Sequence, residues 1–395
     1  MKRTCALVAG LALLTAAAPA SARGIAERPE PRRFSADWIV TGVATSGSRT
    51  LVNGDFGWVG RAVPNAVVIS PLSGAPQQFV DTGVQSLGRA IRDSGDGLYV
   101  VSESRQVRHL RADYTADPGF SVTVDDDIRS LALSPDGSTL WLAGWFTEVG
   151  GQPRAGVAAV RASDGAVLPW KSPITSWEPS VVGVSGDVVY VGGGTWADQR
   201  WRSVVALDAV TGAVRGYGPD GWAASLLAGP DAVYVGVFGE GVRGGVAALD
   251  PASLAVRWRV ETSAAPSMGI ARGLLFLAGA ETVAGQARGG SAALDAATGA
   301  LTQWTAGIPL SGVLLAPDGE TLYSTYIPYD EDEAAVQVAI STRDGAELAW
   351  AADARGGGAK VISRDGTRMF LGASAINTRF RPGAAMLDET AHIVP

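Results

Sequence analysis

Short apolar runs alternate with turns rich in glycine and aspartate along most of the chain. Around Tyr190, the runs "SVVGVSG" and "VVYVGGG" flank the turn Ser185-Gly186-Asp187, and "SVVALD" and "AVRGY" flank Val210-Thr211-Gly212. Apolar runs of four to eight residues separated by such turns are typical of β-hairpins. No segment with a helical period interrupts them, so the pattern predicts an all-β chain in which each unit has four strands.

The same unit recurs through the chain. Leu140–Trp170 and Leu275–Trp304 share their order of strands, Gly-Gln turn, arginine, acidic turn and final tryptophan. One anchor residue marks each predicted second strand, and the anchors are Leu51, Tyr99, Trp141, Tyr190, Tyr234, Phe276, Tyr323 and Phe370. Their mean spacing of about 46 residues is typical of propeller blades. Because a four-stranded sheet cannot cover both of its faces, we predict a β-propeller of four-stranded antiparallel blades, with eight blades favoured and seven as the alternative.

The first residues resemble an export signal. Lys2 and Arg3 precede an apolar run that ends at Ala20-Ser21-Ala22, which predicts a signal peptide over 1–22 and a secreted or periplasmic protein. Residues 23–33 form an unpacked arm in this prediction, and 34–395 form a single propeller domain whose last outer strand comes from one terminus. No later run reaches the ~18 apolar residues of a membrane span, so we expect no integral membrane anchor.

Composition excludes several classes of function. The net charge of −7 argues against nucleic-acid binding, which requires a basic surface. The chain has two histidines, His109 and His392, which argues against a Ser-His-Asp triad and against a histidine-rich metal site. The single cysteine, Cys5, lies in the predicted signal peptide, so the exported chain has no disulfide. We expect a monomer.

Three segments resemble the repeat of propellers that are similar to pyrroloquinoline quinone (PQQ) enzymes. They are "AALDAATGALTQW", "VALDAVTGAV" and "AAVRASDGAVLPW". The segment "LAGWFTEVGGQPRAG" is similar to the delta-60 repeat of secreted bacterial propellers. The resemblance implies that the final tryptophan of each unit docks between blades, and these residues are Trp170, Trp258, Trp304 and Trp350. Such propellers include dehydrogenases, assembly scaffolds and binding proteins, so the resemblance does not fix the function.

Enzymatic function is the alternative. The resemblance implies that a quinoprotein-type oxidoreductase would stack PQQ on a disulfide of adjacent cysteines. The exported chain lacks such a disulfide, so we do not expect PQQ. Acidic side chains could hold calcium or act in a hydrolase, and the weak candidates are Asp330, Glu331 and Asp332, with Asp125–Asp127 as a second cluster. A solvated acidic loop is the preferred interpretation of both. We therefore expect neither a cofactor nor catalysis.

The longer connections lie on one side of the predicted ring. The first and third turns of each unit are tight, whereas the second connection and the link to the next unit are longer and more varied. Aromatic and charged residues concentrate there, and the candidate ligand- or partner-binding residues are Trp177, Trp196, Asp198, Arg200, Trp201, Trp222 and Tyr329. Aromatic and arginine side chains are enriched at interface centres. The sequence thus predicts a binding or scaffold module for a protein or glycan partner.

Overall fold

The computed structural model describes residues 34–387 with short interruptions. These gaps are 37–38, 47–48, 56–57, 63–65, 74–75, 81–86, 103–104, 175–176, 198–199, 240–241, 327–335, 350–353, 356–359, 373–374 and 381–383. Strands account for the regular structure of the described residues, as predicted. These residues include no helix with the length and apolar character needed to cross a membrane.

The strands are numbered β1–β36 in chain order. The N-terminal segment contributes β1 (Phe34–Ala36), β2 (Ile39–Ser46), β3 (Arg49–Asp55), β4 (Trp58–Ala62), β5 (Ala66–Ile69) and β6 (Pro76–Val80). Blade 1 consists of β7 (Leu87–Arg92), β8 (Leu98–Ser102), β9 (Gln106–Leu110) and β10 (Ala116–Thr123). Blade 2 consists of β11 (Ile128–Leu133), β12 (Thr139–Gly144) and β15 (Val157–Arg161), with a hairpin of β13 (Glu148–Val149) and β14 (Gln152–Pro153).

Blades 3 to 6 follow in chain order. Blade 3 consists of β16 (Trp177–Ser185), β17 (Val188–Ala197), β18 (Arg200–Asp208) and β19 (Val214–Tyr217). Blade 4 consists of β20 (Trp222–Ala228), β21 (Val233–Gly239), β22 (Val242–Leu249) and β23 (Val256–Glu261). Blade 5 consists of β24 (Ser267–Ala271), β25 (Leu274–Ala278) and β28 (Ser291–Asp295), with a hairpin of β26 (Thr282–Val283) and β27 (Gln286–Ala287). Blade 6 consists of β29 (Leu310–Leu315), β30 (Thr321–Tyr326) and β31 (Val336–Ser341).

Both ends of the chain build blade 7. The C-terminal segment contributes β32 (Ala354–Arg355), β33 (Lys360–Ile362), β34 (Met369–Gly372), β35 (Ala375–Phe380) and β36 (Ala384–Leu387). Blade 7 has the order β33-β34-β5-β6, so its two inner strands are C-terminal and its two outer strands are N-terminal. The innermost strands then form a closed series in which β7, β11, β16, β20, β24, β29 and β33 each contact the next and β33 contacts β7.

The ring therefore has seven blades, and the favoured count of eight is corrected to the alternative. The reason lies in blade 7, because the repeats anchored at Leu51 and at Phe370 each supply half of it. Leu51 itself lies on β3, which pairs with β2 and β36 in a separate sheet. The prediction of one closing strand is also corrected, because the N-terminal side supplies two strands.

Neighbouring blades are joined by repeated polar contacts inside an apolar core. The hydroxyl of Tyr99 in blade 1 donates to the Ala162 carbonyl of blade 2 at 2.7 Å. Tyr190 and Tyr234 donate in the same way from blade 3 to blade 4 and from blade 4 to blade 5. Tyr323 of blade 6 donates to the Pro71 carbonyl at 3.0 Å, which places the N-terminal turn at the ring closure. Burial raises the pKa of Tyr99 to about 12, so this hydroxyl stays protonated as a donor.

The final tryptophans of the repeats also lie between blades. The indole N–H of Trp170 donates to the Asp208 carbonyl at 3.0 Å, and those of Trp258 and Trp304 donate to the Ala296 and Ser341 carbonyls at 3.2 Å. Each acceptor belongs to the next blade along the chain. Trp350 lies outside the described residues.

Aspartate side chains cap the tight turns. The Asp208 carboxylate accepts the backbone N–H groups of Val210 and Thr211 at 2.9 and 2.7 Å. Asp250 and Asp295 accept the equivalent pairs in blades 4 and 5. Side-chain hydrogen bonds from Arg215, Arg257 and Thr298, together with these backbone bonds, favour the ionised carboxylate, so the pKa values of all three lie below the ordinary range.

These turns should make the protein sensitive to acid. Hydrogen bonds from Ser134 and Ser138 lower the pKa of Asp136 to about 2, and bonds from Ser363 and Thr367 lower that of Asp365 to about 2. A depressed pKa adds stability above the unfolded value of about 4, and this stability is lost as the pH falls towards 2. We expect the urea midpoint to be nearly constant from pH 7 to pH 5 and to fall between pH 4 and pH 2. The double variant Asp136→Asn plus Asp365→Asn should show a shallower fall, and an equal fall would contradict this assignment.

Candidate functional site

The antiparallel hairpins separate two faces of the ring. The tight first and third turns of each blade lie on one face, and the second connections and the links between blades lie on the other, which we call the long-loop face. Three large aromatic side chains on this face are about half exposed, namely Trp145 at 47%, Trp201 at 46% and Phe238 at 45%. Large aromatic groups are usually buried, so their exposure on one face marks a candidate binding surface.

Trp201, Trp222 and Phe238 form one cluster across blades 3 and 4, which we call the aromatic cluster. The ring centroids of Trp201 and Trp222 are 6.3 Å apart, and those of Trp222 and Phe238 are 6.2 Å apart with the planes at 25°. Trp222 and Phe238 are direct cross-strand partners on β20 and β21. Gly194 lies beneath the rings, since a Cβ there would come within 2.4 Å of the Trp222 ring. A glycine at this point of β17 therefore lets the indole pack against the strand.

Charged side chains border the aromatic cluster. Arg200 and Arg202 both donate to the Asp220 carboxylate, at 3.2 and 3.1 Å. The backbone N–H of Gly221 donates to the Trp201 carbonyl at 2.9 Å and joins the end of blade 3 to β18. Exposed ion pairs of this kind contribute only about 0–1 kcal/mol to stability, so their main effect is to fix the orientation of the charges beside the rings.

The connection that was predicted to carry Trp196, Arg200 and Trp201 is instead an extension of the β17–β18 hairpin. Trp196 pairs with Trp201 and Ala197 pairs with Arg200, so the ladder continues almost to the tip. Trp177 begins β16 and pairs with Thr195, which brings its backbone to the same end of blade 3.

Other predicted site residues lie outside the described residues. These are Asp198, Tyr329, Asp330, Glu331 and Asp332. Of the predicted set, the structure brings Trp201 and Trp222 into contact and places Arg200 beside them. Sequence reasoning missed Phe238 and Trp145. Both lie where a second strand of a blade ends, and an aromatic residue at that position could have identified them.

A second feature of the long-loop face is the mouth of the central channel. A cavity of about 290 Å³ opens there, between the innermost strands of blades 1 to 5. Its polar lining residues are Arg89, Arg129, Ser130, Ser180, Ser225 and Ser267. Arg129 is the extra residue of a β-bulge, because the register shifts between Ile128 and Ser130. Bulges redirect side chains, and this one directs Arg129 towards the channel.

The two arginines of the channel mouth are held in place by the blades. One Arg89 Nη donates to the Ile128 carbonyl of blade 2 at 3.2 Å. The Arg129 guanidinium lies 3.8 Å from the centroid of the Trp145 ring and 3.4 Å from the Asp127 carboxylate. Burial and the neighbouring Arg129 charge lower the pKa of Arg89, and Asp127 opposes this effect in part. The channel mouth is therefore a positive region in a protein of negative net charge.

The acidic residues Asp125–Asp127 have separate partners. Asp125 accepts the Thr147 hydroxyl at 2.6 Å and the N–H groups of Thr147 and Glu148 at 2.8 Å, and these bonds outweigh its burial and lower its pKa. Asp126 pairs with Arg105 at 3.1 Å, whereas Asp127 pairs with Arg129. In the part of the chain that the structure describes, no group of three or more His, Cys, Asp or Glu side chains is arranged to hold a metal ion.

His109 belongs to the tight-turn face and is not part of either feature. Its Nε2 lies 2.7 Å from the Asp93 carboxylate and its Nδ1 lies 3.2 Å from that of Asp117. Both aspartates also accept backbone N–H groups of nearby turns, Asp93 from Gly97 and Asp117 from Gly119. The histidine thus joins the first and third turns of blade 1.

Comparisons with known proteins show the fold. No family model and no curated protein sequence matches this chain. Among solved structures, the computationally designed Ika8 protein matches with a TM-score of 0.52 and 12% identity, over 84% of this chain and 95% of the other. BamB from Moraxella catarrhalis matches with a TM-score of 0.41 and 17% identity, over 78% of this chain and 90% of the other. At 12% identity, the match to Ika8 shows the fold alone and not an activity.

Proposed function

We propose that this protein is a binding module that holds a protein partner on its long-loop face. The observation that carries the proposal is the aromatic cluster on a rigid ring, in which Trp201 and Phe238 are about half exposed on either side of Trp222. Exposed aromatic side chains lose little conformational entropy on binding and supply a large apolar area. Loops and strand ends on a rigid scaffold are where binding residues concentrate.

The surroundings of the cluster favour a protein over a glycan. Protein interfaces combine an apolar centre with a charged rim, and here Arg200, Arg202 and Asp220 lie at the border of the rings. A sugar site needs hydrogen-bonding groups directed at the hydroxyl groups of the ring. The charged groups beside this cluster are instead bonded to one another, since both arginines bind the Asp220 carboxylate.

The double variant Trp201→Ala plus Phe238→Ala tests the proposal. Each aromatic residue at an interface centre typically contributes about 2 kcal/mol or more, so we expect partner binding to weaken at least about 100-fold. The purified wild type and variants would be immobilised, exposed to envelope and secreted proteins, and the retained partner quantified by mass spectrometry and then by titration. Thermal unfolding should change little, because both side chains are half exposed.

A matched control removes apolar area from the opposite face. Val210 is 81% exposed in the tight turn between β18 and β19, and Val256 is 47% exposed directly after the tight turn between β22 and β23. The variant Val210→Ala plus Val256→Ala should retain the partner at wild-type affinity. Equal retention by both double variants would refute the proposal, and so would binding of glycans on an array in the absence of any protein partner.

Export through the segment 1–22 is part of the same proposal, since a partner in the envelope or outside the cell requires it. Those residues lie outside the described part of the chain. The quinoprotein and hydrolase alternatives stay predictions, and no contact in the described residues favours either of them over binding.

A further inference from the structure

We propose that the mouth of the central channel is a binding site for an oxyanion, that is, for a carboxylate or phosphate group of a ligand. The site consists of Arg89, Arg129, Ser130 and Ser267 around the cavity of about 290 Å³. It is separate from the aromatic cluster and does not depend on the protein partner proposed above. The aromatic cluster lies at the ends of blades 3 and 4, whereas both arginines come from blades 1 and 2.

The first argument is the charge of the lining. Arg89 and Arg129 come from adjacent blades and are close enough for their charges to repel each other. No carboxylate occurs among the described residues that line the cavity, and Asp127 contacts Arg129 from outside this lining at 3.4 Å. Two guanidinium groups held together without a carboxylate between them are stabilised by an anion, which removes the repulsion and accepts hydrogen bonds.

The second argument is the supply of hydrogen-bond donors. The Ser130 Oγ accepts the Val182 N–H at 3.1 Å, and the Ser267 Oγ accepts the Val313 N–H at 3.2 Å. Because each oxygen is already an acceptor for the backbone, its O–H is available to donate to a ligand. The Nε of Arg129 is also buried without a hydrogen-bond partner. The lining thus offers mainly hydrogen-bond donors, which suits a ligand group that can only accept hydrogen bonds.

The third argument is that the donors are fixed before a ligand arrives. Arg89 is bonded to the Ile128 carbonyl of the next blade, and Arg129 is stacked on Trp145 and sits in a bulge. The remaining channel serines are also bonded across blades, Ser180 to the Ala223 carbonyl at 2.7 Å and Ser225 to the Pro266 carbonyl at 2.5 Å. A site whose side chains are already ordered loses less entropy on binding.

The size of the cavity limits the ligand. About 290 Å³ is at the lower end of the range for small-molecule sites, so a small organic acid or a single acidic side chain fits it. These are two sources of one chemistry. A free small anion would occupy the channel alone, whereas the acidic group of a bound protein would enter it from the long-loop face.

Titration calorimetry with citrate and with inorganic phosphate at low ionic strength tests the site. We expect wild type to bind at least one of these probes, and Arg129→Gln and Arg89→Gln each to weaken binding at least about tenfold, since hydrogen bonds to charged groups are the stronger ones. Arg89→Lys keeps the charge but loses the planar fork, and it should weaken binding by an intermediate factor. The matched control is Arg161→Gln, which removes the same charge from the tight-turn face of blade 2.

A second readout reports the position of the bound anion. Trp145 is stacked on Arg129, so binding should change tryptophan fluorescence, and Trp145→Phe should remove most of this change. Absence of heat and of a fluorescence change with both probes would overturn the proposal. Equal weakening by Arg161→Gln and Arg129→Gln would also overturn it, because that result indicates only a general effect of charge.

Competition distinguishes the two sources of the anion. If citrate displaces the partner retained on wild-type protein, an acidic group of that partner occupies the channel, and if partner binding is unaffected, the ligand is a free small anion. Either result supports the oxyanion site once the titrations have shown binding. The titrations need no partner, so failure of the proposed function leaves them interpretable.

Discussion

Replacing Phe370 by alanine is expected to lower the free energy of unfolding by about 3–5 kcal/mol, as for other large buried aromatic residues. Phe370 is 1% exposed on β34 and pairs with Val68 on the N-terminal strand β5. Its ring stacks on Tyr114 of blade 1, with centroids 6.0 Å apart and planes at 17°. The substitution would therefore open a cavity where the two ends of the chain and the first blade meet. Urea unfolding followed by circular dichroism and by fluorescence measures the loss.

The control for this prediction is a leucine on the surface of the same blade. Leu72 is 86% exposed in the turn between β5 and β6, so Leu72→Ala should change the free energy of unfolding by no more than about 0.5 kcal/mol. A loss of less than about 1 kcal/mol of unfolding free energy for Phe370→Ala would contradict closure of the ring through the core around Phe370. Removal of a buried aromatic ring between packed blades leaves a cavity and costs more than that.

The fold could be predicted from local sequence because each blade is a local structure. Hairpins depend on nearby residues such as the Asp208 turn, whose carboxylate bonds the N–H groups two and three residues later. The blade count is not local. Blade 7 pairs Phe370 with Val68, about 300 positions apart, and nothing in either half shows that it is incomplete. The number of repeats therefore exceeds the number of blades by one when the two ends of the chain build one blade together.

The site was predictable only in part, and the reason is spatial. Trp201 and Trp222 are conspicuous because they fall outside the phase of the repeat, and the structure brings their rings to 6.3 Å. Phe238 joins them only because β20 and β21 pair Trp222 with Phe238. Arg129 lies in the acidic segment "DDDIRS", whose aspartates suggest a metal site and not a positive one. A bulge, which cannot be read from the sequence, directs Arg129 towards the channel.

The two features of the long-loop face share one structural requirement. Arg129 and Trp145 belong to blade 2, Trp201 belongs to blade 3, and Trp222 and Phe238 belong to blade 4. Their relative positions depend on the packing between consecutive blades, because hydrogen bonds join blade 2 to blade 3 through Trp170 and blade 3 to blade 4 through Ser180. The residues that fix the angle between blades 2 and 3 should consequently affect both binding and stability.

Replacing Trp170 by alanine is the most direct test of that requirement, and we expect it to cost about 3–5 kcal/mol of unfolding free energy. Trp170 is 7% exposed at the end of blade 2, its ring meets Trp141 edge to face at 4.8 Å, and its N–H bonds the Asp208 carbonyl of blade 3. Loss of the ring leaves a cavity between the blades. Equilibrium unfolding in urea measures the cost, and citrate and partner binding measured under stabilising conditions should weaken together.

The conservative variant Trp170→Phe separates packing from hydrogen bonding. It keeps most of the ring and removes the indole N–H, but the Asp208 carbonyl retains a bond from the Gly212 N–H at 2.9 Å. No acceptor is left unsatisfied, so we expect a cost of only about 1–2 kcal/mol. Equal costs for Trp170→Phe and Trp170→Ala would show that the hydrogen bond dominates. A negligible cost for both would show that the contact between blades 2 and 3 does not depend on this tryptophan, and the coupled loss of binding would then not be expected.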